Sequence, residues 1–183
     1  HYHSDNGRFA ENKFREAVAN SGQTISFCGV NAHHQNGLAE RRIRHLEEQS
    51  RTMLIHGEKN WKAISVHHWP YALRLQNEID NSTINSVTKK VPINEFSNSK
   101  VAVNPKYWFP FGCPVYVLDN RLQAGKKIDK WAARARIGIY LGPSPQHARS
   151  VALVQSLTTG LVSPQFHVKM DPKFETLRDV FGG

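Results

Sequence analysis

The chain has 183 residues, of which 39% are hydrophobic and 21% charged. That suits one ordinary domain or two small ones and excludes a chain that is disordered throughout. No apolar run approaches the ~20 residues of a membrane span, and the net charge of +9 comes from 24 basic and 15 acidic side chains. The charge is unevenly spread. Residues 1–80 carry 10 Lys or Arg against 9 Asp or Glu, whereas residues 81–183 carry 14 against 6. A basic half suits a polyanion such as nucleic acid; the alternative is a solvated surface that keeps the protein in solution. No signal peptide opens the chain, which starts His1-Tyr2-His3 without a methionine and reads as a piece of something longer.

In chain order, residues 1–3 read as the end of a strand, and Ser4-Asp5-Asn6-Gly7 as a turn. Residues 10–21 predict a short helix with Phe14, Ala17 and Val18 on one face, closed by Gly22. Thr24 to Cys28 alternates as a strand, with Ile25 and Phe27 on one side. A polar loop over 30–37 leads into a long helix from Leu38 to His56. Ala39, Ile43, Leu46, Ser50 and Met53 form its core-facing stripe, and Gly57 is expected to end it. A further helix is expected over Asn60 to Ile79, with Trp61, Ile64, Trp69, Ala72, Leu73 and Ile79 inward and a kink or break at Pro70. Residues 81–105 are rich in Asn and Ser and read as a linker with one helical turn near Ile93 to Phe96. Strand-like runs follow at Val115 to Leu118, Ile137 to Leu141, Val151 to Gln155 and Gln165 to Val168. Four or five short strands in this span predict a small barrel.

Cys28 and Cys113 match no zinc ribbon and no disulfide framework; they fit a reducing intracellular setting and read as small apolar residues. His33-His34 and His67-His68 are adjacent pairs whose side chains do not converge on one ion. No structural zinc is expected.

The acids are more informative. Asp5 stands at a strand end and Glu40 in the first turn of a helix. Two such carboxylates can share a hard divalent cation, Mg2+ or Mn2+, of the kind that holds attacking and leaving oxygens during phosphoryl transfer. From spacing alone, turn formation and partnership with the helix dipole are the commoner explanation of such positions. The words around the acids add a resemblance. His3-Ser4-Asp5-Asn6-Gly7-x-Phe9 resembles the second-aspartate motif of retroelement integrases. Gln35-Asn36-Gly37-x-Ala39-Glu40-Arg41 resembles their glutamate motif in the variant of copia-type (Ty/copia) LTR retrotransposons. Phe111-Gly112-Cys113-Pro114 with Tyr116-Val117, then Lys130-Trp131 and Gly138-Ile139-Tyr140-Leu141-Gly142, look like the SH3-like module that follows the copia core in the Pol polyprotein.

The resemblance implies an α/β RNase H-like core, present in part, followed by a small all-β SH3-like barrel. The expected division is residues 1–80 for the core, 81–105 for a linker, 106–175 for the barrel and 176–183 for a tail. It implies DNA integration: metal-dependent processing of element 3′ ends and their transfer into target DNA. Asp5 and Glu40 would be the second and third catalytic, metal-binding carboxylates. The first carboxylate and the family's zinc-binding HHCC segment are expected upstream, so the chain is expected to be inactive alone. Element and target DNA, a homo-multimer and a nuclear site of action are implied as well, with no membrane partner.

DNA contact is expected at Asn36, Arg44, Lys126, Lys127, Lys130, Arg134 and Arg136. For several of these a second role stays open. Asn36 can cap the helix, and Gln35 shares the choice between capping and DNA. Arg44 can pair with Glu40 one turn earlier, and Glu47 interrupts any continuous basic track. Arg121 joins the later basic cluster, within which Trp131 is expected to pack into the barrel core, with base stacking as the alternative. Other readings of the whole chain are a non-catalytic, nucleic-acid-binding remnant of a retroelement, an RNase H-like nuclease of another kind, and a structural scaffold with an incidental basic tail.

Overall fold

The structure, a computed structural model, describes residues 1–5, 7–29, 36–100 and 105–177. Asn6, His33, His34 and Gln35, named above, lie outside them. The chain divides into two compact units, His1–Glu47 and Glu48–Gly183.

In the first unit, strand β1 (Tyr2–Ser4) pairs in parallel with β2 (Ile25–Phe27). A parallel pair needs a crossover, and helix α1 (Asn12–Asn20) supplies it. The expected Gly22 signal is met: Gly22 adopts φ +66°. Its N–H reaches the Ala19 carbonyl at 2.9 Å while the Gln23 N–H reaches that of Val18 at 3.0 Å. Those two bonds close the last turn of α1 and require a left-handed residue that glycine adopts without cost. The imidazole of His3 meets the Ser26 hydroxyl across the strand pair at 2.8 Å. Among the described residues of this unit, Val18 and Cys28 are the buried apolar ones, and Ala17 is exposed.

Helix α2 (Gly37–Asn60) is longer than expected. Gly57 does not end it. The residue is buried within the helix, and a Cβ there would stand 3.2 Å from the Ile64 side chain. Gly57 is therefore a packing residue. The helix ends at Asn60, whose amide Nδ2 donates to the His56 carbonyl at 2.8 Å. The apolar stripe is buried only in its second half. Leu46 and Met53 are half-buried and Ser50 buried, while Ala39 and Ile43 are exposed.

The single helix expected over Asn60 to Ile79 is a 3-10 turn (Val66–His68) followed by α3 (Trp69–Ser82), with Pro70 in its first turn. Proline lacks the N–H that a first turn leaves unpaired, so it starts this helix and does not kink it. Ala72 and Leu75 are buried on α3, but Trp69, expected inward, is 53% exposed. Helix α4 (Pro92–Ser97) packs on α3 and falls where a helical turn was expected.

Five strands complete the second unit: β3 (Pro114–Leu118), β4 (Ala135–Pro143), β5 (Ala152–Ser156), β6 (Val162–Gln165) and β7 (Val168–Met170). A short helix α5 (Asn120–Gln123) follows β3. The strands form one antiparallel sheet in the order β6-β5-β4-β3-β7. The run read as one strand from Gln165 to Val168 instead straddles the break between β6 and β7.

The sheet is open, because no strand pairing joins β6 to β7 among the described residues; the expected closed barrel is corrected to that extent. It is nonetheless strongly coiled. Strands β6 and β7 are consecutive and separated only by Phe166 and His167, yet they occupy opposite edges. Three residue steps span at most about 11 Å, whereas four flat interstrand spacings would need about 19 Å. The two edges must therefore curl toward each other at that corner.

The coil is centred on β4, whose pairing with β5 shifts register between Tyr140 and Pro143. Such a bulge leaves backbone groups without ladder partners. Arg74 of α3 meets this need, donating from Nη2 to the Pro143 carbonyl at 3.1 Å and to the Leu141 carbonyl at 3.4 Å. Arg149 pairs with Glu78 of α3 at 2.6 Å. Trp61, Ile64, Ala72 and Leu75 thus share one core with Val115, Val117, Ile139, Leu141 and Val154 of the sheet.

Candidate functional site

In the first unit, β1 carries the chain to Asp5, which directly follows the strand and is half-buried. Its Oδ1 accepts the Gly7 N–H at 3.2 Å. A side chain at residue 7 would crowd that oxygen, its Cβ lying 3.2 Å away. The glycine of the Asp-Asn-Gly word therefore has a local reason: it lets the backbone fold back on the carboxylate.

Glu40 lies in the first turn of α2 and is exposed. The helix dipole favours a negative charge there. Asn36, half-buried, immediately precedes the helix. Arg44 follows Glu40 by one turn and is exposed, and no ion pair between the two occurs among the described residues.

Two carboxylates offer hard oxygen donors, which suit Mg2+ or Mn2+ better than softer metals. Among the described residues, no group of three or more His, Cys, Asp or Glu side chains gathers around one point. Any ion held by Asp5 and Glu40 would draw its remaining ligands from water or from elsewhere.

The second candidate surface lies in the other unit, on the stretch between β3 and β4. Asp119 caps α5 by accepting the Arg121 N–H at 2.8 Å. Its carboxylate also takes the Arg121 guanidinium in a two-point grip, at 3.0 and 3.2 Å. Those hydrogen bonds hold the Asp119 carboxyl below the usual carboxylate range. Arg121 is therefore committed to an internal partner and leaves the free basic cluster in which the sequence placed it.

Lys126, Lys127, Lys130 and Arg134 behave differently. Together with Leu122 and Ile128 they line a concavity of about 330 Å³. No ion pair engages these four side chains among the described residues. Arg136, on β4 opposite Val117, is half-buried and does not line the concavity. The sequence cluster is thus brought together in part: four cations converge, while Arg121 and Arg136 stand apart.

Trp131 overturns the expectation that it packs into the core. It is 89% exposed, with the Lys130 ammonium 5.1 Å from its ring centroid. The sequence held a signal for this. Residues 124–134 lack period-two alternation, so nothing places Trp131 on the inner face of a strand.

Cys113 does sit in the core. Burial, followed by the nearby Asp171 charge, pushes its thiol up to about 12. A thiol so held stays protonated and serves as a small packing group rather than a nucleophile or ligand.

No helix among the described residues is long and apolar enough to cross a membrane. Compared with known proteins, the chain matches no family model and no curated protein sequence.

Proposed function

We propose that the chain is part of a copia-type retrotransposon integrase. In this reading Asp5 and Glu40 are the second and third carboxylates of an RNase H-like core, and the coiled sheet is an SH3-like module that holds DNA. The observation that carries the reading is the path β1–α1–β2–α2, with Asp5 at the end of a parallel strand and Glu40 in the first turn of the long helix that follows. Five short antiparallel strands, coiled around one core by a bulged β4, support the SH3-like assignment. Closure into a barrel rests on the resemblance alone.

Asp5 and Glu40 would hold a Mg2+ or Mn2+ ion, which supplies charge stabilisation during phosphoryl transfer when bound. Asn36 and Arg44 would orient DNA beside them. Lys126, Lys127, Lys130 and Arg134 would grip phosphates, with Arg136 at the margin. The family's first carboxylate has no match in this sequence, so we expect the 183-residue chain alone to bind DNA without joining it. Action in the nucleus, on element and target DNA and as a multimer, belongs to the same proposal.

A second reading, a nucleic-acid-binding remnant without chemistry, has one observation in its favour: the basic concavity lies in the unit that holds neither acid. The coding DNA upstream of His1 separates the two. An open frame with a strand-borne aspartate and an HHCC segment supports the integrase. A stop codon or frameshift before that aspartate leaves the remnant.

A further inference from the structure

An indole ring gains more from burial than almost any other side chain, because it removes a large apolar area from water. Trp131 forgoes that gain, remaining 89% exposed although a core lies within the same unit. Its neighbours Ala132 and Ala133 are too small to cover it. A cation stands over the ring: the Lys130 ammonium, 5.1 Å from the centroid. A cation seated on one face leaves the other face open to a flat partner. Beside it, Lys126, Lys127, Lys130 and Arg134 surround a single concavity with no internal ion pairs among the described residues.

We propose that Trp131 is a stacking platform for an unpaired nucleobase, with the adjacent concavity holding the phosphates of the same strand. This deepens the DNA-binding role assigned above to the basic loop and rests on it. Intact duplex would satisfy the lysines but would leave the ring without a partner, since its bases are already stacked on one another. An acidic protein surface would likewise satisfy the charge alone. An anionic membrane would use the indole as an anchor, but the flanking Leu122 and Ile128 are half-buried and so offer little to insert beside it. The chemistry that uses both halves of the site is a single strand or a frayed end, whose every base has a π-face.

The test uses the full 183-residue chain as wild type, Trp131→Ala, Trp131→Phe and Lys126→Gln/Lys127→Gln. Binding is measured to a fluorescent single strand of about 12 nucleotides, within the span such grooves track, as DNA and as RNA. The matching DNA duplex and vesicles containing anionic phospholipid are measured alongside. We expect Trp131→Ala to weaken single-strand binding about 5- to 150-fold. Trp131→Phe should restore most of it, and duplex affinity should change less than about twofold, since no base of the duplex is free to stack. The sugar whose binding suffers identifies the strand as DNA or RNA. Because the ring is exposed, an unchanged unfolding transition checks that the fold is intact. If the lysine variant loses binding to both forms while Trp131→Ala loses neither, or loses both equally, stacking is wrong and phosphate binding stands. If no variant alters binding to any nucleic acid, or vesicles alone are bound, the nucleic-acid reading itself falls.

Discussion

His68 and Gln155, 87 residues apart, meet across 2.7 Å inside the second unit. Gln155 Oε1 can only accept, so Nε2 of His68 donates to it, while Nδ1 lies 3.1 Å from the Ser65 N–H and 3.0 Å from the Ser65 carbonyl. The Gln155 amide in turn donates to the Gly160 carbonyl at 3.1 Å. The turn before α3 is thereby tied to β5 and to the loop that follows it. His68 is buried and Gln155 half-buried, so cutting the contact costs most on the histidine side, where water does not readily replace the lost partner. His68→Ala should destabilise the chain by about 1–3 kcal/mol. A double-mutant cycle with Gln155→Ala in urea unfolding should give a coupling above about 0.5 kcal/mol. Strict additivity would show that the contact does not act as a unit.

The glycines of the Phe-Gly-Cys-Pro word and of the basic loop have separable reasons. Gly112 and Gly125 both adopt left-handed backbone, at φ +77° and +72°. A Cβ at Gly125 meets nothing within 4 Å, whereas one at Gly112 would lie 2.8 Å from the Ile64 side chain. Gly125→Ala should therefore cost only the conformational penalty, about 1–2 kcal/mol. Gly112→Ala should cost that plus about 1–3 kcal/mol of overpacking. Equal losses in thermal unfolding would remove the packing explanation.

Asp171 is buried at the end of β7, where its carboxylate accepts the Glu175 N–H, the Thr176 N–H and the Thr176 hydroxyl. Burial alone would push its carboxyl up, but these bonds, with the Lys173 N–H, outweigh it and hold it below the ordinary value. A depressed native value adds stability above the unfolded-state value of about 3.9, and that stability is lost as pH falls further through the native value. Asp171→Asn should thus be less stable than wild type at neutral pH by about 1–2 kcal/mol. The gap should narrow below about pH 4. A gap that stays constant from neutral pH to about pH 2 in urea titrations would contradict the assignment.

Much of the element order was legible from periodicity, even where, as at Ala39 and Ile43, the face it marked is exposed. The alternation of Ile25 and Phe27, the four–three spacing along α2, and the apolar runs at 115–118 and 137–141 each found their element. Four features were not legible, for physical reasons. Proline fits both the middle of a kinked helix and the start of a straight one, so Pro70 alone could not place the beginning of α3. Glycine serves as a helix stop or as a point of close approach, and only the position of Ile64 decides that for Gly57. Strand ends are set by partners remote in sequence, which hid the break at Phe166-His167. The commitment of Arg121 to Asp119 depends on rotamers that spacing does not specify. In the candidate site, residue types and their order along the chain were readable, while the exposure of Trp131 and the convergence of four cations were not.

The basic concavity makes a quantitative prediction of its own. Changing Lys126, Lys127 and Arg134 together to Gln should weaken nucleic-acid binding. It should also flatten the dependence of log K on log salt by roughly 0.9 for each duplex phosphate that these side chains no longer neutralise. Affinity and slope that match the wild type would return these residues to an ordinary solvated surface.

The most direct test of the integrase assignment is strand transfer by the protein extended upstream through its first carboxylate. Labelled element-end DNA and a target plasmid would be incubated with Mg2+ or Mn2+. Metal-dependent joined products are expected, falling to background in both Asp5→Asn and Glu40→Gln with DNA binding retained. Joined products undiminished by either substitution would show that these two carboxylates do not carry the chemistry.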